Sequence, residues 1–228
     1  MTELSTLEHE TGPDPDAAVI WLHGLGADAH DFEPVVPVLA LGPGRPVRFV
    51  FPNAPVRPVT LNAGIPMRAW YDIGDLDPDG RPEDEAGIRE AAVSVGALVQ
   101  AQLRRGIPSP RIVLGGFSQG GATALFTGLR YSSRLAGIIG LSCYLPLPGS
   151  LAAELSADNR STPVFQGHGS ADPVVPEWLG RATHEQLVAA GLTVDWRTYA
   201  MPHAVIPEEL NDVRAFLDKC LPVVSGAA

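Results

Sequence analysis

Short apolar runs alternate along this chain with longer segments in which apolar residues recur every three or four positions. Continuous runs rich in Val, Ile and Leu are typical of strands that are buried on both faces of a parallel sheet. They predict six strands, at residues 17–23, 47–51, 111–114, 136–141, 163–167 and 194–199. Helical periodicity predicts five helices, at residues 31–39, 83–105, 119–130, 177–190 and 207–221. The alternation predicts an α/β protein with a mostly parallel central sheet and helices on both faces.

No internal repeat, low-complexity tract or shift in composition divides the chain. Its 228 residues, of which 45% are hydrophobic and 18% charged, predict one globular domain over residues 1–228. We expect residues 1–14 and 223–228 to be poorly ordered. The segment 52–81 is rich in Pro, Gly and Asp and predicts a long loop, which in a compact domain is often a lid or a binding loop.

The negative net charge and the lack of a recognisable targeting signal argue against several classes of function. A formal net charge of −10 argues against nucleic-acid partners and anionic membranes, because both need basic patches. The polar N-terminus lacks the features of a secretory signal, and no apolar run is long enough to cross a bilayer. We therefore expect a cytoplasmic protein without stable membrane insertion.

The cysteines and histidines limit the metal and redox chemistry. Cys143 and Cys220 are expected to be reduced, buried thiols. Cys143 stands beside Ser142 at the end of an apolar run. A nucleophilic role for its thiol is an alternative, although no serine-like elbow surrounds it. The six histidines include no pair at metal-ligand spacing, so we expect no metal site.

Ser118 stands between glycines in the sequence LGGFSQGG of residues 114–121. It follows a predicted strand and precedes a predicted helix, which is the pattern of a nucleophile elbow. Only small neighbours fit such a sharp turn, and the turn exposes the serine hydroxyl at the edge of the sheet. Ser118 is therefore the candidate nucleophile.

An elbow serine needs a base to take its proton and an acid to orient that base. In hydrolases with this elbow the chain order is Ser, then Asp or Glu, then His. His203 lies just past the last predicted strand, where the carboxyl edge of a parallel sheet would present it. We prefer it to His184, which falls in a helix, and to His168, which we expect to hold its own loop.

Asp172 is the preferred acid because it lies in a turn just after a predicted strand. Asp195, by contrast, falls inside a predicted strand and Glu185 inside a predicted helix. The alternative for Asp172 is a turn residue whose side chain caps its own backbone before Pro173.

Two backbone N–H groups would stabilise the oxyanion of an acyl-transfer reaction. One is expected from Gln119, the residue after the nucleophile, and the other from Leu25 in the His-Gly-Leu-Gly turn after the first predicted strand. Such a turn could also bind phosphate, but it lacks the remainder of a phosphate-loop or dinucleotide motif.

Together these motifs resemble the carboxylesterase/acyl-protein thioesterase (lysophospholipase-like) family of α/β-hydrolases. The matching segments run nearly end to end, at residues 23–28, 51–55, 67–72, 83–88, 106–108, 111–121, 141–146, 168–176 and 203. The resemblance implies the α/β-hydrolase fold, a triad of Ser118, Asp172 and His203, and an oxyanion hole from the amides of Leu25 and Gln119.

The resemblance also implies that a flap-like loop around Trp70, Ile73 and Leu76 borders an acyl channel. We expect these residues and Leu145 to contact substrate, with core packing as the alternative for Trp70. The chain departs from the eukaryotic thioesterases of the family at Ala204, where they usually carry serine. Residues 72–85 also include seven acidic side chains, which suit a long acyl chain or a membrane poorly.

The expected function is that of a serine carboxylesterase that hydrolyses short- to medium-chain esters through an acyl-enzyme. The substrate would be a small-molecule ester or thioester, and no cofactor is needed. The sequence does not decide between a monomer and a homodimer. One alternative is an acyl-protein thioesterase or lysophospholipase acting on long acyl chains. A distant alternative is a non-catalytic hydrolase-fold binding protein, although such proteins usually lose a member of the triad.

Overall fold

The computed structural model describes residues 4–74 and 83–223. The strands within these ranges are β1 (Thr6–Glu10), β2 (Ala17–Leu22), β3 (Val47–Pro52), β4 (Val56–Pro58), β5 (Pro66–Arg68), β6 (Ile112–Phe117), β7 (Gly137–Leu141), β8 (Val164–Gly169) and β9 (Val194–Tyr199). Seven of them form one sheet in the order β1-β3-β2-β6-β7-β8-β9, while β4 and β5 form a separate hairpin. Within the sheet β1 is antiparallel to β3, and every other pair is parallel.

Helices cover both faces of this sheet, as the sequence predicts for an α/β protein. They are α1 (Val36–Leu39), α2 (Glu85–Arg104), α3 (Gln119–Arg130), α4 (Leu151–Glu154), α5 (Glu177–Ala189) and α6 (Pro207–Cys220). Val19 and Trp21 of β2 belong to the apolar cluster of α1 and α6. The alternate residues Ile20 and Leu22 belong to the cluster of α2 and α3. The side-chain alternation along a strand thus supplies two separate cores. No helix in the described parts of the chain is both long and apolar enough to cross a membrane.

All six predicted strands are present, and four of the five predicted helices closely match α2, α3, α5 and α6. The fifth prediction, a helix over residues 31–39, is only partly right. The structure has a 3₁₀ turn over Glu33–Val35 followed by the single turn α1. Pro34 and Pro37 explain the difference, because proline fits the first turn of a helix but interrupts its interior.

The prediction that residues 1–14 are poorly ordered is wrong for Thr6–Glu10. This segment is β1, an edge strand whose residues pair with β3 from Thr6–Pro52 to Glu10–Arg48. Ion pairs support it, since Arg48 Nε lies 2.8 Å from Glu10 Oε1 and Arg105 Nη1 lies 2.7 Å from Glu8 Oε1. At the other end, residues 224–228 lie outside the described residues.

The parallel strands deliver the candidate site residues to one edge of the sheet. Leu25 follows β2, Ser118 follows β6, Asp172 follows β8, and His203 follows β9. Parallel strands end at the same edge, so four segments distant in sequence converge there.

Candidate active site

Ser118 occupies the turn between β6 and α3 with φ 54° and ψ −125°. A non-glycine residue rarely holds such a backbone conformation, and it persists only where the surroundings enforce it. Gly116 and Gly120 allow the turn, because a Cβ on Gly116 would collide with the Gly120 backbone and one on Gly120 with the Leu22 carbonyl. The sequence LGGFSQGG therefore folds as the predicted elbow.

His203 joins the Ser118 hydroxyl to a buried carboxylate. Its Nε2 lies 2.9 Å from Ser118 Oγ, and its Nδ1 lies 2.6 Å from Asp172 Oδ2. The Asp172 side chain is fully buried, while 15% of the His203 side chain is exposed. Because the carboxylate is an acceptor, Nδ1 carries a hydrogen and Nε2 is left to accept the serine proton.

The loops that carry Asp172 and His203 are tied to each other through their backbones. Ser170 N donates to Tyr199 O at 2.8 Å, and Ala171 N donates to Met201 O at 3.2 Å. Gly169 is part of the same contact, because a Cβ there would meet the Met201 and Pro202 carbonyl oxygens. The acid and the base are thus positioned as one unit.

Asp172 is also fixed by its own turn. Its Oδ1 accepts hydrogen bonds from the N–H groups of Val174 and Val175, at 2.8 and 2.9 Å. His168, at the end of β8, donates from Nε2 to Val175 O at 2.8 Å, and burial lowers the pKa of this histidine. A neutral His168 therefore holds the turn that carries the acid, in line with its predicted role.

The rejected alternatives lie in other surroundings. His184, in α5, stacks on Trp196 with ring centroids 5.7 Å apart. Asp195 pairs with Arg197 at 3.1 Å in a partly exposed position on β9. Neither residue lines the cleft that contains Ser118.

The turn after β2 is held by the neutral ring of His23, a role that the sequence analysis did not predict. His23 Nε2 accepts from Ala54 N at 3.0 Å, so the hydrogen is on Nδ1, which donates to Gly24 O at 2.7 Å. Burial lowers the pKa of this imidazole and favours its neutral form. Gly26, with φ 78°, donates its N–H to Arg68 O. These bonds fix the backbone on both sides of Leu25.

The Gln119 side chain adds a second tie that sequence reasoning missed. Its Oε1 accepts from Trp70 N and its Nε2 donates to Tyr71 O, both at 2.9 Å. The backbone N–H of Gln119 is the first of α3, and the first N–H groups of a helix have no partner within it. Its side chain thus holds the segment 70–71 against the elbow, and Gln119 also lines the cleft that contains Ser118.

A cleft of about 440 Å³ opens over the serine. The described residues that line it come from the turn after β2, the 3₁₀ turn over residues 60–62, the segment 71–73, the elbow, the loop after β7, and the acid and base loops. They are Gly24, Leu25, Ala27, Asp31, Leu61, Tyr71, Ile73, Phe117, Ser118, Gln119, Tyr144, Val174, Val175 and His203. A mostly apolar cleft thus meets a serine, a histidine and two candidate amide donors.

Comparison with known proteins shows which family this chain belongs to. The phospholipase/carboxylesterase family matches residues 9–221. The chain belongs to this family. Acyl-protein thioesterase 1 of Mycosarcoma maydis is 41% identical over 238 residues, covering 97% of this chain and 99% of that protein.

Two solved structures have the same fold. Arabidopsis thaliana SOBER1 has a TM-score of 0.84 at 30% identity, covering 90% of this chain and 99% of that one. Zea mays acyl-protein thioesterase 2 has a TM-score of 0.82 at 29% identity, covering 95% and 99%. This member of the phospholipase/carboxylesterase family is a carboxylic ester hydrolase with the α/β-hydrolase fold.

The four residues predicted to contact substrate in this family member do not all line the cleft. Ile73 lines the cleft. Trp70 does not: it is buried in the core, and its Nε1 donates to His23 O at 2.9 Å. Leu145 is likewise buried, in the apolar cluster beside α3 and α5. Both side chains face the core because the backbone around them is held by Gln119 and by Thr183 Oγ1. Leu76 lies outside the described residues.

Leu61, Val174 and Tyr144 line the cleft but were not predicted to do so. Leu61 and Val174 are large apolar side chains with 55% and 53% exposure. Tyr144 is adjacent to Leu145 in the motif SCYLP, so the motif predicted the region but not the side chain that faces the cleft. Apolar residues within loops were the only available signal.

Cys143 is not an accessible nucleophile. It is a free thiol, buried against Gly121 and Gly140, and burial raises its pKa well above the ordinary range. The thiolate is the reactive form of cysteine, so Cys143 is a packing residue. Cys220 is also free, as expected, and half-buried.

Proposed function

We propose that this chain is a serine carboxylesterase that hydrolyses short- to medium-chain esters through a Ser118 acyl-enzyme. The observation that carries the proposal is the hydrogen-bonded series Ser118–His203–Asp172 within the cleft. A non-catalytic binding protein would have no use for a strained serine in contact with an oriented imidazole.

In the proposed reaction His203 Nε2 takes the Ser118 proton as Oγ attacks the ester carbonyl carbon. The resulting oxyanion is stabilised by the N–H groups of Leu25 and Gln119. His203 then gives its proton to the leaving alcohol, and the acyl group remains on Ser118. Water attacks this acyl-enzyme by the same sequence and releases the acid. Asp172 holds the His203 tautomer and stabilises the imidazolium.

The preference for short to medium chains rests on the lining of the cleft. Leu61, Ile73 and Val174 offer apolar contact, and each buried methylene contributes about 0.8 kcal/mol. Asp31 is exposed at the same cleft. A longer chain would therefore leave apolar contact for charged, hydrated surface, and the gain would end after a few carbons.

The test is a series of neutral esters from acetyl to palmitoyl, each assayed below its micelle concentration. We expect kcat/KM to rise to about butyryl or hexanoyl and then level off. Leu61→Ala should flatten the rise, whereas Ile65→Ala should not, because Ile65 is exposed but does not line the cleft. A steady climb to palmitoyl would contradict the proposed chain length.

A long-chain acyl-protein thioesterase is the second candidate, favoured by the relatives named acyl-protein thioesterase 1 at 41% and 42% identity. Matched esters and thioesters of equal chain length distinguish the two functions. Preference for long-chain thioesters would establish the second candidate. If a fluorophosphonate probe failed to label Ser118, both hydrolase functions would be contradicted and the non-catalytic binding protein would be the remaining alternative.

A further inference from the structure

The cleft contains one carboxylate that the proposed reaction does not use. Asp31 lies on the loop between β2 and the 3₁₀ turn Glu33–Val35, and it lines the cleft together with Leu25 and Ala27. Its residue is exposed. Within residues 4–74 and 83–223 no ion pair or side-chain hydrogen bond engages the Asp31 carboxylate, so its charge is available to a ligand.

No cation offsets this charge among the described residues of the lining, which include neither lysine nor arginine. Arg68 lines a separate depression with Ala54 and Arg57, and it donates to Ala54 O. Asp28, on the same loop as Asp31, bonds to His30 and does not line the cleft. Asp31 therefore gives the wall of the cleft a negative charge.

Asp31 lines the same cleft as His203 and Phe117, beside which the leaving group would lie. The next residue, Phe32, packs on Phe117 with ring centroids 5.8 Å apart, and Phe117 packs on His203 at 4.7 Å. The leaving oxygen receives its proton from His203 Nε2, so the leaving alcohol must lie beside His203 and Phe117. A positive charge on that alcohol would face the wall that carries Asp31.

We propose that Asp31 makes this esterase prefer esters whose leaving alcohol carries a positive charge, such as a quaternary ammonium or an amine. The inference rests on the proposed esterase function and specifies its substrate class. Attraction across a solvated gap is modest, which sets the expected preference at about three- to tenfold. The ring of Phe117, which also lines the cleft, is a surface on which a quaternary ammonium binds well.

The test compares butyrylcholine with 3,3-dimethylbutyl butyrate, in which carbon replaces the charged nitrogen. We expect the ratio of their kcat/KM values to favour the cationic ester in the unaltered protein and to fall about three- to tenfold in Asp31→Asn. Asp31→Glu should retain part of the preference, and Asp28→Asn should leave the ratio unchanged. The preference should also weaken between 20 mM and 500 mM NaCl, because salt screens exposed charges.

The result separates this inference from the proposed function. If the neutral ester is hydrolysed in a Ser118-dependent manner but the ratio is the same in Asp31→Asn, the role of Asp31 is wrong and the esterase stands. If Asp28→Asn lowers the ratio as much as Asp31→Asn, the preference comes from the net charge of the protein and the inference also fails. If neither ester is hydrolysed, the proposed function itself fails.

Discussion

Single residues decide the chemistry at this sheet edge. Ser118 can hold its unusual backbone conformation because Gly116 and Gly120 have no Cβ to collide with the backbone that approaches them. His203 then needs only two contacts, one to the serine and one to Asp172, to complete a nucleophile–base–acid series. The activity assigned to the chain can therefore be tested one side chain at a time.

Removing the nucleophile or the acid should abolish most activity without unfolding the protein. Ser118→Ala should lower kcat by about four orders of magnitude or more, because it removes the hydroxyl that would carry the acyl group. Asp172→Asn should cost a similar factor, since it loses the preferred His203 tautomer. Steady-state kinetics with a butyryl ester and circular dichroism of each variant are the measurements.

Asp195→Asn is the matched control, because Asp195 pairs with Arg197 on β9 and does not line the cleft. Its kcat should remain within about twofold of the unaltered protein. A large loss in Asp195→Asn, combined with a mild effect of Asp172→Asn, would mean that the acid has been misassigned.

At the residue scale the sequence indicated the three candidate side chains that the structure brings together, but not the residues that support them. Ser118, Asp172 and His203 each follow a recognisable strand, and only one acid and one histidine stand in suitable turns. His23 and the Gln119 side chain gave no such signal, because their roles depend on backbone groups of Ala54, Trp70 and Tyr71 that only the folded chain brings near. Trp70 was ambiguous for the same reason.

Secondary-structure elements bring these residues together. Five of the parallel strands, β2, β3, β6, β7 and β8, were predictable because both of their faces are buried, which gives continuous apolar runs. β1 escaped prediction because it is an edge strand of alternating exposure with the polar sequence TLEHE. The hairpin β4–β5 has three residues in each strand and a proline in each, so neither length nor composition indicated strands.

The contact between the loops after β8 and β9 makes a prediction at this scale. Gly169→Ala should place a methyl group against the Met201 and Pro202 carbonyls and push the two loops apart. A displacement of about 1 Å in a catalytic group lowers turnover about a hundredfold. We therefore expect a loss of that order in kcat, with a smaller change in KM.

Gly149→Ala is the control for this change, because a Cβ at Gly149 would have no neighbour within 4 Å. Its kinetics should match those of the unaltered protein. Equal activity of Gly169→Ala and Gly149→Ala would show that the loops can adjust independently and that their contact does not position the triad.

At the scale of the whole molecule, one buried acid should govern how stability depends on pH. Glu209 of α6 is fully buried, and neither of its carboxyl oxygens has a hydrogen-bond partner in the described residues. Burial, with a further contribution from Asp212, raises its pKa from the ordinary value of 4.5 to about 8. The folded protein therefore holds this proton at pH values where the unfolded chain has released it.

The folded state binds the extra proton between pH 4.5 and about 8, so the stability contributed by protonated Glu209 is complete below pH 4.5 and lost by about pH 8. Glu209→Gln does not titrate and should escape this loss. Each pKa unit of difference corresponds to about 1.4 kcal/mol. The free energy of unfolding of Glu209→Gln, measured relative to that of the unaltered protein, should therefore be a few kcal/mol higher at pH 8.5 than at pH 4.5. Urea unfolding at both pH values measures it.

Glu208→Gln serves as the comparison, since the neighbouring Glu208 is exposed at the start of the same helix. The free energy of unfolding of Glu208→Gln should change with pH in the same way as that of the unaltered protein. Parallel curves for Glu209→Gln and the unaltered protein would show that Glu209 titrates normally despite its burial.

The two edges of the sheet have a consequence for how copies of the protein meet in solution. An uncovered edge strand is a template on which another sheet can continue, and charged side chains are a common defence against this. β1 at one edge carries Glu8, His9 and Glu10, and β9 at the other carries the Asp195–Arg197 pair. Bringing two such edges together would strip water from these charges. Self-association by extension of the sheet, including its ordered form in a dimer and its disordered form in aggregates, is therefore disfavoured.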